Sequence, residues 1–477
     1  NNMIKRILPL ILLMAVAACN NNKPAEEQQV VTEVPNPADF ERPVPSQRHY
    51  TSQAVEDVIT RMREKLPNDT LVHLFVNCFP NNLDKAVVYE VGADSLDDTF
   101  ILTGDIEAMW LRDSGAQVWP YVALLGNDEP LQHLIRGVIN RQLKCLVIDP
   151  YANAFNRTPT HGEWQSDSTR MTDDLHERKW ELDSPCYVLR LVNGYWQKTG
   201  DDALIRSDLF LTALDSVLNV FVEQQKMNGQ FTSYKFLRRT VAMHDTMANY
   251  GWGAPVKGCG LISSAFRPSD DCTLLQFLVP SNFMAVDVLR KTSKMLQAVM
   301  PEKSDLIARC DLIANQVEEG LRKHAIVHTE KYGDVFAFEV DGYGSCIMGD
   351  DANVPSLLAL PYLTDVVALD DPIYQNTRRM LLSEDNPYYF AGTAGHGIGS
   401  QHTGLDYIWP MSIIMRAMTS TDQAEIDECV KMLATTHGDK WFMHESFHKD
   451  DPTDFTRSWF AWANTLFGEL LIKLYDK

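Results

Sequence analysis

The chain has 477 residues, 43 of them Lys or Arg and 64 Asp or Glu, for a formal charge of −21 at pH 7. That acidic excess excludes a protein that works by neutralising nucleic-acid phosphates; a neutral polymer or sugar is a compatible partner. With 45% hydrophobic residues, the chain can bury a large core as one big domain or two.

The N-terminus reads as a targeting segment. Lys5 and Arg6 precede an apolar run from Ile7 to Ala18, too short to span a bilayer as a helix. The run ends in Val16-Ala17-Ala18-Cys19, which resembles a bacterial lipoprotein signal. The resemblance implies cleavage before Cys19 and lipid on it, hence an exported protein anchored to a membrane at the periplasm or cell surface. An ordinary secretory signal with an incidental Cys is the alternative. Residues 19–46 are polar, contain Pro and are short of large apolar side chains, as expected of a flexible tether. The expected organisation is therefore a signal peptide over 1–18, a tether over 19–46 and one folded domain over 47–477. Apart from that anchor, nothing in the chain calls for a membrane.

Helical periodicity then recurs. Val55, Val58, Ile59, Met62 and Leu66 form one apolar stripe, Leu214, Val217, Leu218 and Phe221 a second, and Leu306, Cys310, Ile313, Val317 and Leu321 a third. Ser281 is positioned to cap a helix from Asn282 to about Val299, stopped by Met300-Pro301. A last helix is expected from about Thr456 to Tyr475. Strand-like runs are short: Ala86–Val91 and Val335–Val340. There is no steady strand–helix alternation, which argues against a doubly wound sheet. Gly392, Gly395, Gly397 and Gly399 lack the spacing of a dinucleotide loop and read as a turn-rich loop. The eight Cys after Cys19 contain no C-x-x-C pair; most sit among apolar neighbours and read as buried thiols, with room for one disulfide.

The stretches between helices carry the chemistry. Thr103–Ser114 holds Asp105, Glu107, Trp110, Arg112 and Asp113 in close order. Phe266–Asp271 places Asp270 and Asp271 beside Arg267, and Asp350-Asp351 and Ser400–Thr403 with His402 are further clusters. Each alone suits a surface turn or a structural ion pair. Together, on Gly- and Pro-punctuated loops of a helical scaffold, they suit a site. Adjacent carboxylates raise the proton affinity of one of them, as an acid catalyst at a glycosidic bond needs.

Met443–Trp462 supports two readings. His444, Glu445 and His448 spell H-E-x-x-H, a zinc-peptidase pattern that requires a helix. Pro452 and the acids Asp450, Asp451 and Asp454 follow too closely for such a helix to continue. The same acids with Trp459 and Trp462 also look like a sugar site, in which carboxylates take hydroxyl hydrogen bonds and aromatic faces cover C–H surfaces.

With these segments in view, the chain resembles glycoside hydrolase family 125, metal-independent exo-acting α-1,6-mannosidases. The resemblance rests on TGDIEAMWLRDS (103–114), INRQLKC (139–145), DPYANAFN (149–156), FRPSDD (266–271), DDANVPSLLALPYL (350–363), GIGSQHT (397–403) and MHESFHKDDPTDFTRSWFAWAN (443–464). It implies an all-α fold, an (α/α)6 barrel or helical toroid with short strands and with long loops at the active-site end. It implies an inverting mechanism with no metal or cofactor, Asp270 as general acid and Glu445 as general base. Asp271 is the alternative acid. Trp110, Arg112, Asp113, Arg267, Asp271, Asp351, His402 and His444 become candidates to hold a terminal mannose of a mannose-containing oligosaccharide or N-glycan. The segment from Thr158 to Thr172 matches no part of the family pattern, which leaves Trp164 and Asp167 unassigned. An inverting pair should stand roughly 6.5–9.5 Å apart, with the acid more shielded than the base or set against another acid. A carbohydrate-binding lipoprotein without turnover is the competing class; perturbed paired acids argue against it.

Overall fold

The computed structural model describes residues 41–477. The described residues belong to one compact unit that ends at Lys477. The signal peptide, the Cys19 lipidation site and most of the tether lie outside the described residues. The expected tether boundary at residue 46 is corrected. The Arg42 guanidinium donates to Asp84 at 2.8 Å and to Glu56 at 2.5 Å, and its backbone N–H donates to Asn77. Residues 42–46 therefore belong to the folded body.

The body is mostly helical, with short two- and three-stranded sheets. Two kinds of helix are distinguishable by burial. Leu111–Val118, Asp183–Thr199, Val279–Val299, Pro410–Met418 and Ala461–Tyr475 bury residues on almost every face, the signature of helices enclosed by protein. The helix 111–118 packs against both 183–199 and 461–475; 183–199 packs in turn on 279–299, and 461–475 on 410–418. Around them lie amphipathic helices with one buried stripe, among them Gln53–Lys65, Asp208–Gln224 and Ser304–His324. The expected stripes fall on these three. Their ends follow local rules: Ser52 and Ser207 hydroxyls cap the first two, and Arg322, Lys323 and His324 sit at the negative end of the third. Among the described residues no helix is long and apolar enough to cross a membrane.

Three expected boundaries move. The helix expected from Asn282 starts at Val279, because Pro280 occupies its first turn, where a missing N–H costs nothing; Ser281 lies inside it and does not cap. The last helix begins at Ala461, not Thr456, because Asp451–Thr456 is a strand paired with Ser446–His448. The run Val335–Val340 is split: Gly333–Phe336 pairs with Ile326–Thr329, and Glu339–Val340 pairs with Phe277–Leu278 and Cys346–Ile347. The glycine-rich loop is a hairpin of Tyr389–Ala391 and His396–Ile398. All eight described Cys are free thiols.

Helix Glu129–Ile148 lies on strand Asp97–Ile101, and Gly137 is the point of closest approach. A Cβ there would stand 3.0 Å from the Thr99 backbone nitrogen and press on the Thr99 hydroxyl. Gly137→Ala gains about 1 kcal/mol of helix propensity, yet it is expected to destabilise by about 1–3 kcal/mol through overpacking against backbone. A thermal melt showing a raised midpoint would remove this account of the contact.

Candidate active site

Five segments close around a small cavity lined by Thr103, Ile106, Trp110, Arg112, Asp113, Pro268, Ser269, Asp270, Asn353, His402, Trp409, Glu445, Arg457, Phe460 and Trp462. Carboxylates, cations and aromatic faces share one small space. Asp270 and Glu445, far apart in sequence, both face it.

Asp270 is delivered by a tight turn. The Arg267 N–H donates to the Asp271 carbonyl at 2.7 Å, and the Asp270 N–H donates to the Arg267 carbonyl at 2.9 Å. The loop Pro268-Ser269-Asp270 thus joins two paired flanks, with Asp270 at φ +68°. A left-handed residue closing a three-residue loop is a recurrent hairpin solution, and Asp tolerates that conformation better than most residues. The Lys179 ammonium holds the Asp270 carbonyl at 2.8 Å. The turn leaves the carboxyl pointing at Trp110 Nε1–H, 3.3 Å away, and at the Arg112 guanidinium, 2.9 Å away.

Arg112 stands in the first turn of helix 111–118 and is buried. Its fork also meets Glu181 at 2.5 Å, Asp113 at 3.4 Å and Asp183 at 3.5 Å. Burial alone would push the Asp270 carboxyl up; Arg112, hydrogen bonding from Glu181, and Lys179 outweigh it and hold Asp270 well below the usual carboxylate range. Its neighbours go the other way. Burial drives Glu181 well above that range against the pull of Arg112, raises Asp183 to about 6, and raises Asp113.

Glu445 sits just before strand Ser446–His448. Its Oε2 accepts from Arg457 Nη1 at 3.4 Å, and Arg457 is itself anchored by Asp105 at 2.6 Å and the Thr103 carbonyl. The Glu445 side chain is 6% exposed and that of Asp270 22%. The expectation that the acid is the more shielded of the two is therefore corrected: the surface turn that projects Asp270 also opens it. The companion expectation, an acid set against another acid, describes Asp270 beside Glu181.

Of the residues expected to hold a sugar, Trp110, Arg112, Asp113 and His402 line the cavity. The others stand behind its wall. Arg267 is buried against Glu339 at 2.6 Å. Asp351 accepts from Asn353 and from the Ser400 hydroxyl, so it positions the wall residue Asn353. Asp271 holds His402 Nδ1 at 3.0 Å. His444 is corrected most fully: it is buried, stacks on Phe455 at 4.0 Å, and directs both ring nitrogens at the carbonyls of His437 and Ser458. Burial lowers it to about 4, a neutral core imidazole outside the cavity. Asp450, Asp451 and Asp454 lie on a turn and strand away from the cavity, bonded to Thr393, Thr453 and Tyr407. Trp164 and Asp167 pack on and pair with Arg238.

The H-E-x-x-H reading falls on geometry. None of residues 444–448 is helical and Ser446–His448 is a strand, so the i, i+4 facing that the motif needs is absent, and among the described residues no trio of His, Cys, Asp or Glu could hold a metal. Sequence reasoning missed Arg457, Asn353 and Glu181. The first was hidden inside a supposed helix, the second behind its acidic neighbours, and the third in a segment with no motif.

Burial would lower the His402 imidazole, but its hydrogen bond and charge contact with Asp271 raise it to about 9. The stability this pair contributes is full below the unfolded value of about 6.5 and is lost as pH rises through about 9. Asp271→Asn should bring the His402 titration, followed by imidazole NMR, down toward 6.5; a titration still near 9 would rule out Asp271 as the cause.

Comparison with known proteins bears on this arrangement. Residues 68–472 match the family model described as metal-independent alpha-mannosidase (GH125). A Streptococcus pneumoniae metal-independent α-mannosidase, solved as a non-productive substrate complex with α-1,6-mannobiose, superposes with a TM-score of 0.85 at 38% identity, over 90% of this chain and 99% of that one. The meiotically up-regulated gene 157 protein of Schizosaccharomyces pombe is 41% identical over 456 residues, 92% of this chain and 89% of its own. A glucoamylase from Saccharomycopsis fibuligera shares the fold alone, with a TM-score of 0.50 at 11% identity over 90% of this chain and 97% of that one. The chain belongs to the metal-independent α-mannosidases of glycoside hydrolase family 125, and is a glycoside hydrolase.

Proposed function

We propose that this enzyme is an exo-acting α-1,6-mannosidase that releases terminal mannose from mannose-containing glycans with inversion, with Asp270 as general acid and Glu445 as general base. The observation that carries the reading is that these two carboxyls face one cavity. Trp110, Phe460 and Trp462 offer apolar faces to it, and Arg112, Asp113, Asn353 and His402 offer polar contacts. The α-1,6-mannobiose complex of the Streptococcus pneumoniae relative supports the linkage.

In the proposed reaction Glu445 takes a proton from a water that attacks the anomeric carbon on the face opposite the leaving oxygen, and Asp270 delivers a proton to that oxygen. Arg457 meets one Glu445 oxygen at a long 3.4 Å and leaves the other for the water. Asp113, Asp351 and His402 act on the sugar or on the groups that touch it. The same reading arranges the helices as an (α/α)6 toroid; the neighbour-to-neighbour packing of the buried helices and the ring of amphipathic ones outside them support it. The lipoprotein anchor at Cys19 completes it. Cys19→Ala should move the enzyme from the membrane fraction to the soluble one, and an unchanged distribution would remove the anchor.

Incubation with α-1,6-mannobiose should release β-mannose first, by NMR, at a rate indifferent to chelators; α-mannose as the first product would overturn inversion. Asp270→Asn, which keeps the side-chain shape and its tolerance of φ +68°, should cut turnover of mannobiose by about 10²–10⁴-fold. It should spare an aryl mannoside whose leaving group needs no proton. Glu445→Gln should abolish both, because no water is activated. Equal loss on both substrates in Asp270→Asn would remove it as the acid.

A further inference from the structure

The cluster on Arg112 poses a charge problem. One guanidinium meets the carboxyls of Asp113, Glu181, Asp183 and Asp270 within 3.5 Å. The other nearby cations are committed elsewhere. Lys179 binds Asp245 at 2.6 Å and Glu177 at 3.3 Å, His402 binds Asp271, and Arg457 binds Asp105 and Glu445. His176, tilted against Trp110 with ring centroids 5.3 Å apart, is lowered by burial. Four carboxylates cannot all remain ionised in so dry a place, so the cluster must hold at least one proton.

Geometry selects its holder. Glu181 is fully buried, lies outside the cavity wall, and meets the same Arg112 fork as Asp270, at 2.5 Å against 2.9 Å. Besides the Arg112 arm at 2.5 Å, its donors are long, Ser184 Oγ at 3.3 Å and Asn153 Nδ2 at 3.4 Å. Asp270 is the carboxyl that reaches the cavity, and it receives both Trp110 and Arg112. Backbone ties keep the two in register: the Ala265 and Phe266 N–H groups both donate to the Trp180 carbonyl, next to Glu181, at 3.0 Å, and the Leu182 N–H donates to the Ser264 hydroxyl.

We propose that Glu181 and Asp270, bridged by the Arg112 fork, share a single proton that rests on Glu181 and passes to Asp270 as the glycosidic oxygen takes it. This rests on the proposed role of Asp270 as acid. The Glu181 O–H bond breaks as an Asp270 O–H bond forms; that bond breaks in turn as the leaving oxygen is protonated and keeps the electron pair of its bond to the anomeric carbon. The attacking water forms the new C–O bond and loses a proton to Glu445, and solvent carries a proton back to the pair before the next cycle. Arg112 touches both carboxyls throughout, so the negative charge moves from one arm of its fork to the other. Glu181 is thus a positioning residue for the proton, acting through Asp270.

The test compares wild type, Glu181→Gln and Glu181→Asp on α-1,6-mannobiose and on 2,4-dinitrophenyl α-mannoside, across pH. For Glu181→Gln we expect kcat on mannobiose to fall about 100-fold, KM to change little, the alkaline limb of the pH profile to move to lower pH, and the dinitrophenyl substrate to be spared. Glu181→Asp should recover part of the mannobiose rate and the alkaline limb. Loss of both substrates alike by folded Glu181→Gln, or an unmoved pH profile, overturns the proposal. Infrared spectroscopy of wild-type enzyme with carboxyl-labelled glutamate keeps the question open to decision if the variants fail to fold: no neutral glutamic acid at pH 7 overturns it. A neutral-acid band that follows the pH of the alkaline limb of mannobiose turnover supports it. If wild type does not cleave mannobiose at all, the mannosidase reading fails separately and the infrared result alone judges the shared proton.

Discussion

The buried guanidinium of Arg112 is the constraint on which the active-site end depends. Removing a guanidinium from water costs several kcal/mol unless hydrogen-bonded anions replace the solvent. Here the replacements come from the start of the next buried helix and from the Asp270 turn, so the charge ties three separate segments together. A planar fork is suited to this because its arms leave in fixed directions; a Lys ammonium could not grip Glu181 and Asp270 side by side. The guanidinium also sets the protonation pattern. It favours the ionised form of the exposed member, Asp270, and leaves the dry members to burial.

The surroundings temper the negative charge further. Arg112 and Asp113 stand in the first turn of helix 111–118, and Glu181 and Asp183 stand at the start of helix 183–199. Trp409 precedes helix 410–418, and Phe460 and Trp462 flank the start of helix 461–475. Three buried helices therefore begin at the cavity, and a fourth, 183–199, begins behind its wall. Helix N-termini carry unsatisfied N–H groups and partial positive charge, which makes this end hospitable to acids. The opposite polarity would have made the same carboxyl cluster far harder to assemble.

Much of this was legible in the sequence, and the exceptions have physical reasons. Stripes such as Val55, Val58, Ile59 and Met62 revealed amphipathic helices because one face meets solvent. The helix 111–118 is buried all round, polar residues included, and gave no such signal. Trp110, Arg112, Asp113, Asp270, His402 and Glu445 were visible as polar and aromatic residues on Gly- and Pro-marked loops. Glu181 was not, because its importance arises only when the 263–266 segment folds beside Trp180. Arg457 was misplaced because the apolar residues around it imitate helical spacing. His444 was overvalued because a short motif carries no information on whether its backbone is helical or extended. The expectation of a six-fold helical barrel came only from the family resemblance, since periodicity is a local property.

The cavity draws its walls from positions between Thr103 and Trp462, and that spread has a temporal meaning. At synthesis rates of about 5–20 residues per second, roughly 20–70 s separate the emergence of the first wall residue from that of the last. During that interval the growing polypeptide can form local helices yet has no complete catalytic chamber. The same holds for a molecule nicked or stalled before Ala461. Turnover is thus a property of finished molecules only, and a newborn chain stays chemically silent toward the glycans it passes until its final helix has docked.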